Sequence, residues 1–227
     1  MKIKGTEYRT VWMQDGIIRT FDQRLLPHRV EIVDLRNHEE AATAIRDMTV
    51  RGAPAIGAVA AYGLVQVYQQ APGGAERDDF IEAGYRLLRA TRPTAQNLFH
   101  ALDRVRAAAD AAPIAEQADA ALAEANRMIE EDVEACRRIG EVGAQLIPDG
   151  ARVLTHCNAG WIACVDWGTA LAPIYVAHRA GRRVHVFADE TRPRCQGANL
   201  TAWELMEEGV PVDIIADNAG GLLMRRG

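Results

Sequence analysis

The sequence predicts an α/β protein: a small N-terminal β-hairpin plus helical domain, then a parallel α/β domain. Three observations carry this. Ala, Arg, Glu and Asp dominate at helical spacing up to about residue 150, and short β-branched runs alternate with Gly-containing turns after it. An Asp-Gly pair also separates two extended runs near the start. The predicted divisions are residues 1–113 for the hairpin and helices, 114–147 for a linking helix, and 148–227 for the α/β domain.

In chain order, Tyr8-Arg-Thr-Val-Trp-Met, Asp15-Gly16 and Ile17-Ile-Arg-Thr form a hairpin. Val30-Glu-Ile-Val-Asp-Leu adds an extended run. Helices follow over about 38–48, from Pro54 onward, over 77–91 and over 94–111. The segment 114–146 places Ala118, Ala121, Leu122, Ala125, Ile129, Val133, Cys136 and Ile139 on one amphipathic face. Unbroken, it would be about 50 Å long at 1.5 Å per residue, so a link between domains with a break near Gly140 or Gly143 is expected.

Beyond Pro148 the strands are Arg152-Val-Leu-Thr, Val184-His-Val-Phe-Ala and Val212-Asp-Ile-Ile-Ala, with helices over about 166–180 and 198–208. Gly181 and Gly209 fit helix C-terminal caps. Strand–helix alternation of this kind makes a parallel sheet with right-handed crossovers. Three strands are few for an open parallel sheet. The domain is therefore expected to be truncated at its C-terminus, completed by a missing segment or a complementary chain.

Composition narrows the function. Lys plus Arg number 26 against 31 Asp plus Glu, for a net charge of −5. No basic stripe offsets this, which argues against a nucleic-acid partner. No apolar run approaches a membrane span, and the start lacks a secretory h-region. Cys136, Cys157, Cys164 and Cys195 form no C-x-x-C pair. A cytoplasmic, reduced, acidic protein is expected, without membrane association.

Ligands of open α/β sheets bind beyond the carboxyl ends of the strands. Here those ends read Thr155-His-Cys-Asn-Ala-Gly160, Asp189-Glu-Thr-Arg-Pro-Arg-Cys-Gln-Gly197 and Asp217-Asn-Ala-Gly-Gly221. Each alone is an ordinary strand-to-helix turn; three on one rim point to a site. Cys157 is the sharpest residue, because a thiol beside a helix N-terminus tends below its reference pKa of about 8.5. Its neighbours His156 and Asn158 argue against a dry core slot, whereas Cys136 and Cys164 read as small core hydrophobes. His156 reads as structural, since adjacency places it on the opposite face of an extended segment.

Elsewhere, Arg51-Gly-Ala-Pro54 places Gly52 and Ala53 at a helix entrance beside a guanidinium, a plausible anion cradle or simply a solvated helix start. Thr91-Arg92-Pro93-Thr94 is similar, with Thr94 available as a cap. Neither a dinucleotide fingerprint nor a P-loop occurs. Glu130-Glu-Asp-Val-Glu134 reads as a solvated face, and no His/Cys/carboxylate set has zinc spacing.

Arg51-Gly-Ala-Pro-Ala-Ile-Gly, Thr155-His-Cys-Asn-Ala-Gly, Asp189-Glu-Thr-Arg-Pro-Arg-Cys-Gln-Gly-Ala-Asn-Leu-Thr-Ala-Trp-Glu-Leu and Asp217-Asn-Ala-Gly, in this order, resemble the methylthioribose-1-phosphate isomerases. That family is related to the regulatory subunits of a eukaryotic translation initiation factor's nucleotide exchanger. The resemblance runs the length of the chain. It implies a cofactor-free, metal-free aldose–ketose isomerase acting on a phosphorylated pentose in methionine salvage. It also implies a homodimer and a Rossmann-like C-terminal domain.

Carried over by motif, Cys157 matches the catalytic cysteine, and Arg51, Gly52, Ala53, Arg92 and Gln196 match substrate-binding positions. The family's catalytic aspartate lies in a later Gly-Ala-Asp-Arg segment, which these 227 residues do not contain, so the isolated chain is expected to be inactive. Asp217 belongs to the earlier Asp-Asn motif and does not replace it. Two alternatives stand beside this reading: a non-catalytic regulatory relative, against which the joint presence of Cys157, Arg51, Arg92 and Gln196 argues, and an isomerase of ribose 1,5-bisphosphate.

Overall fold

Residues 1–226 are described by a computed structural model. Two short strands, β1 (Lys2–Ile3) and β2 (Thr6–Glu7), open the chain. Next come β3 (Val11–Gln14), β4 (Ile17–Phe21) and β5 (Ile32–Leu35). Five helices follow: α1 (His38–Arg46), α2 (Ala53–Gln70), α3 (Arg77–Arg89), α4 (Gln96–Asp110) and α5 (Gln117–Ala144). The remainder alternates β6 (Ala151–Thr155), α6 (Ala172–Arg179), β7 (Val184–Asp189), α7 (Ala202–Glu207), β8 (Val212–Ile215) and α8 (Gly220–Arg226).

These elements pack as two compact units. One comprises Thr10–Arg24 and Glu31–Asp132; the other comprises Met1–Arg9, Leu25–Val30 and the chain from Val133 onward. The divisions therefore differ from those expected at residues 113 and 147. Composition marks where element type changes, but long-range hydrogen bonds decide which segments pack together. The backbone N–H groups of Lys2 and Lys4, for example, donate to Glu208 and Glu207 at 3.1 and 2.9 Å.

In the first unit β3, β4 and β5 form an antiparallel meander, with Met13 opposite Ile18 and Ile18 opposite Leu35. The expected Asp15-Gly16 turn joins β3 to β4. Helix α2 is buried on nearly all sides from Ala55 to Tyr68, which suits its run of small and apolar residues. Gln66, wholly buried, donates from Nε2 to the carbonyls of Gly16 and Leu35 and ties the meander to that helix.

The other unit carries the expected parallel sheet, in the order β6-β7-β8. Val186 and Ala188 of β7 are fully buried, and His185 and Phe187 alternate with them on a half-covered face. Gly181 and Gly209 end α6 and α7 at φ +84° and +75°. In each, the glycine N–H and the next N–H donate back into the last helical turn, the paired bonds of a Schellman cap.

Two expectations are corrected here. Helix α5 runs unbroken through Gly140 and Gly143. These glycines serve close packing instead: a Cβ on Gly143 would lie 2.5 Å from Pro173 Cγ, and one on Gly140 would lie 3.0 Å from Val176 Cγ2. The helix expected over 166–180 forms only from Ala172. Trp167 and Gly168 have φ +62° and +78°, and Thr169 N–H donates to the Ala159 carbonyl, so this segment folds back on the turn after β6.

Candidate functional site

The carboxyl ends of β6, β7 and β8 bring their three loops together, as the strand pattern anticipated. Cys157 N–H donates to Thr191 Oγ1 at 2.8 Å, joining the first loop to the second. The N–H groups of Thr191 and Arg192 donate to the two Asp217 oxygens at 2.7 and 2.8 Å, joining the second to the third. These two bonds hold the Asp217 carboxyl below the usual carboxylate range.

Cys157 is half-buried with φ +64°, a left-handed backbone uncommon outside glycine. Both sides of its peptide are engaged, because Thr201 Oγ1 donates to its carbonyl at 2.6 Å. The helix N-terminus expected beside the thiol is absent: a short helical turn begins only at Trp161, and α6 only at Ala172. The turn after β6 is shaped by side-chain hydrogen bonds instead. Cys136 and Cys164 are buried, in keeping with a packing role.

Gln196 opens a π-helical turn, Gly197–Thr201, that runs into α7. A Cβ on Gly197 would lie 1.8 Å from the Asp189 carbonyl oxygen, so only glycine lets this turn close against the end of β7.

Sequence reasoning missed Glu204. Its side chain is fully buried and takes four donors: Asn158 Nδ2 at 2.6 Å, Tyr175 Oη at 3.0 Å, and the backbone N–H groups of Ile162 and Trp161. Burial pushes its carboxyl up to about 7, with those hydrogen bonds pulling the other way. The available signal was a lone acid inside the otherwise apolar start of a helix, Ala202-Trp-Glu-Leu.

His156 is exposed, and its Nδ1 pairs with buried Asp189 Oδ2 at 2.9 Å. His156, Asp189 and Asp217 each place one possible ligand atom within 4.8 Å of the others. Linear zinc spacing does not reveal that grouping. Within it His156 Nδ1 pairs with Asp189 Oδ2 and two backbone N–H groups hold Asp217, while Asp189 Oδ1 is buried with no hydrogen-bond partner among the described residues.

The remaining predicted residues belong to the helical unit. Gly52, at φ +93°, is the N-cap of α2, with Ala53 and Pro54 in the first turn. No side chain caps that end and no acidic residue lies in its first turn, so it retains its bare positive pole. Arg51 is half-buried just before it. Arg92 keeps a buried Nη1 with no hydrogen-bond partner among the described residues. Thr94 does not cap α4: the N-cap is Ala95, whose N–H closes a turn onto the Arg92 carbonyl.

Comparison with known proteins bears on the whole chain. The model of the Initiation factor 2 subunit family matches residues 49–226. The chain is 53% identical over 236 residues to a methylthioribose-1-phosphate isomerase of Acidiphilium cryptum, covering 100% of this chain and 63% of that protein. It thus spans less than two thirds of the curated relative's length. The crystal structure of 5-methylthioribose 1-phosphate isomerase from Pyrococcus horikoshii OT3 is similar at TM-score 0.91 and 39% identity, covering 100% of this chain and 67% of that one. That of translation initiation factor eIF-2B, subunit delta, from A. fulgidus is similar at TM-score 0.88 and 42% identity, covering 97% and 66%.

Proposed function

Because the chain belongs to the Initiation factor 2 subunit family, we propose that it acts in a methylthioribose-1-phosphate isomerase, which converts 5-methylthioribose 1-phosphate to 5-methylthioribulose 1-phosphate in methionine salvage. The observation that carries this reading is Cys157, held in a left-handed turn at the rim of the parallel sheet by bonds to both sides of its peptide. Strain of that kind persists where surrounding structure over-determines it, and it concentrates at functional sites.

The chemistry suits the residues. A sugar phosphorylated at its anomeric carbon has no free aldehyde, so the ring must be opened before hydrogen moves from C2 to C1. In this reading Cys157 acts at the reacting carbons, shuttling a proton or stabilising the transition state. Arg51, Gly52, Ala53, Arg92 and Gln196 bind the substrate, and the unpaired Nη1 of Arg92 is a donor suited to a phosphate oxygen. Binding energy spent there positions the sugar. The reading calls for no metal or cofactor and places the enzyme in the cytoplasm as a homodimer. No Gly-Ala-Asp-Arg segment occurs in these 227 residues, so no turnover is assigned to this chain alone.

The test is Cys157→Ala in the full-length enzyme, assayed on a panel of phosphorylated pentoses including ribose 1,5-bisphosphate. The expected result is an intact fold with nearly all turnover of methylthioribose 1-phosphate lost. A well-folded variant with near-normal kcat would overturn the role of Cys157. A wild-type enzyme inert on the whole panel would favour a non-catalytic regulatory protein instead.

A further inference from the structure

We propose that Glu204 is a positioning residue for Cys157: its buried carboxyl holds the thiol-bearing turn through Asn158 and Thr201. This rests on the reading of Cys157 as the reacting group.

The connection is continuous. Asn158 Nδ2 donates both to Glu204 Oε1 at 2.6 Å and to Thr201 Oγ1 at 3.1 Å, and Thr201 Oγ1 donates to the Cys157 carbonyl at 2.6 Å. Asn158, Thr201 and Glu204 are all buried. The path is therefore not shared with solvent, and loss of one link leaves its neighbours unpaired.

Three of the four donors on Glu204 come from residues 158–162, the turn that directly follows Cys157. The fourth, Tyr175, comes from α6 and approaches the other oxygen. That turn is shaped to admit the carboxyl. A Cβ on Gly160 would lie 2.0 Å from Glu204 Oε2 and 2.6 Å from Glu204 Cδ. Burying an acid is costly, and an apolar side chain would fill the same space more cheaply if packing were its only task. The carboxyl gathers the N–H groups of Trp161 and Ile162 with the Asn158 amide, and so holds the turn that follows Cys157.

The experiment uses the 227-residue chain and reads the thiol rather than turnover. Cys157 alkylation by iodoacetamide is followed by mass spectrometry of its peptide, with Cys195 as the internal comparison. The variants are Thr201→Val, Asn158→Asp and Glu204→Gln. Each substitution is expected to change the Cys157 rate by about threefold or more and leave Cys195 unchanged. A wild-type rate in Thr201→Val overturns the proposal, and being isosteric that variant decides the matter if Glu204→Gln fails to fold. A wild-type rate in Asn158→Asp or in Glu204→Gln, with wild-type urea resistance, overturns it too. A failed isomerase assay of the full-length enzyme beside altered Cys157 rates in these variants would sink the function and leave the positioning role standing.

Discussion

Cys157 and Thr191, the one following β6 and the other following β7, both have left-handed backbones, at φ +64° and +61°, and a 2.8 Å hydrogen bond from Cys157 N–H to Thr191 Oγ1 joins them. Each such conformation costs about 1–2 kcal/mol for a non-glycine residue. Two of them locked together imply a rim whose shape is imposed by its neighbours, chiefly Asp217, Thr201 and Glu204.

Gly160→Ala is expected to be strongly destabilising. The added methyl would meet Glu204 Oε2 at 2.0 Å and Leu171 Cδ1 at 2.7 Å, both on buried side chains. Overpacking of this kind costs about 1–3 kcal/mol or more. Urea unfolding measures it, and an unchanged midpoint would show that the turn after β6 is free to relax.

Stability should fall as pH rises from about 4.5 to about 7. Burial raises the Glu204 carboxyl from its ordinary 4.5 to about 7, so in this window the folded state holds a proton that the unfolded state has released. By linkage the slope is negative there, and the loss levels off above pH 7 at about 3 kcal/mol at most. Unfolding midpoints at pH 5 and pH 8, in wild type and Glu204→Gln, isolate the effect. Equal slopes in the two proteins would rule it out.

Arg51→Ala and Arg92→Ala should weaken binding of a phosphorylated product analogue by about 1.5–3 kcal/mol each while hardly changing the unfolding midpoint. Arg92 is the sharper case, since its buried Nη1 lacks a hydrogen-bond partner among the described residues. Calorimetric titration against the full-length protein decides; unchanged affinity in both variants removes the phosphate role.

The 227-residue chain should self-associate. Ile214, Leu222 and Met224 are 53%, 50% and 69% exposed, and β8 pairs only with β7 among the described residues. Such an edge and apolar face favour association. Light scattering is expected to give a mass above the 24.9 kDa of one chain, reduced by Ile214→Lys. A monodisperse monomer across micromolar concentrations would contradict this.

Much of the fold was legible because its signals are local. The Asp15-Gly16 turn, the α2 entrance at Gly52 and the caps at Gly181 and Gly209 each depend on a few adjacent residues, and all stand where the pattern puts them. The residues from Asp166 to Leu171 read as helical but are not, because their conformation is dictated from outside, by Ala159 and Gly160. Thr94 looked like a cap for the same reason: propensity names a suitable residue type, and the turn closed by the Arg92 carbonyl placed Ala95 there instead.

The sequence by itself determined the order of strands and helices and the three polar loops at the strand ends, since periodicity and turn chemistry are properties of neighbouring residues. Only the tertiary structure decided that Cys157 lies in a left-handed turn without a helix behind it, and that Glu204 is buried beneath that turn. The physical reason is distance along the chain. Asn158 and Glu204 are 46 residues apart, and the burial that raises the Glu204 carboxyl and the donors that oppose it exist only once α6, α7 and the rim loops have closed around it.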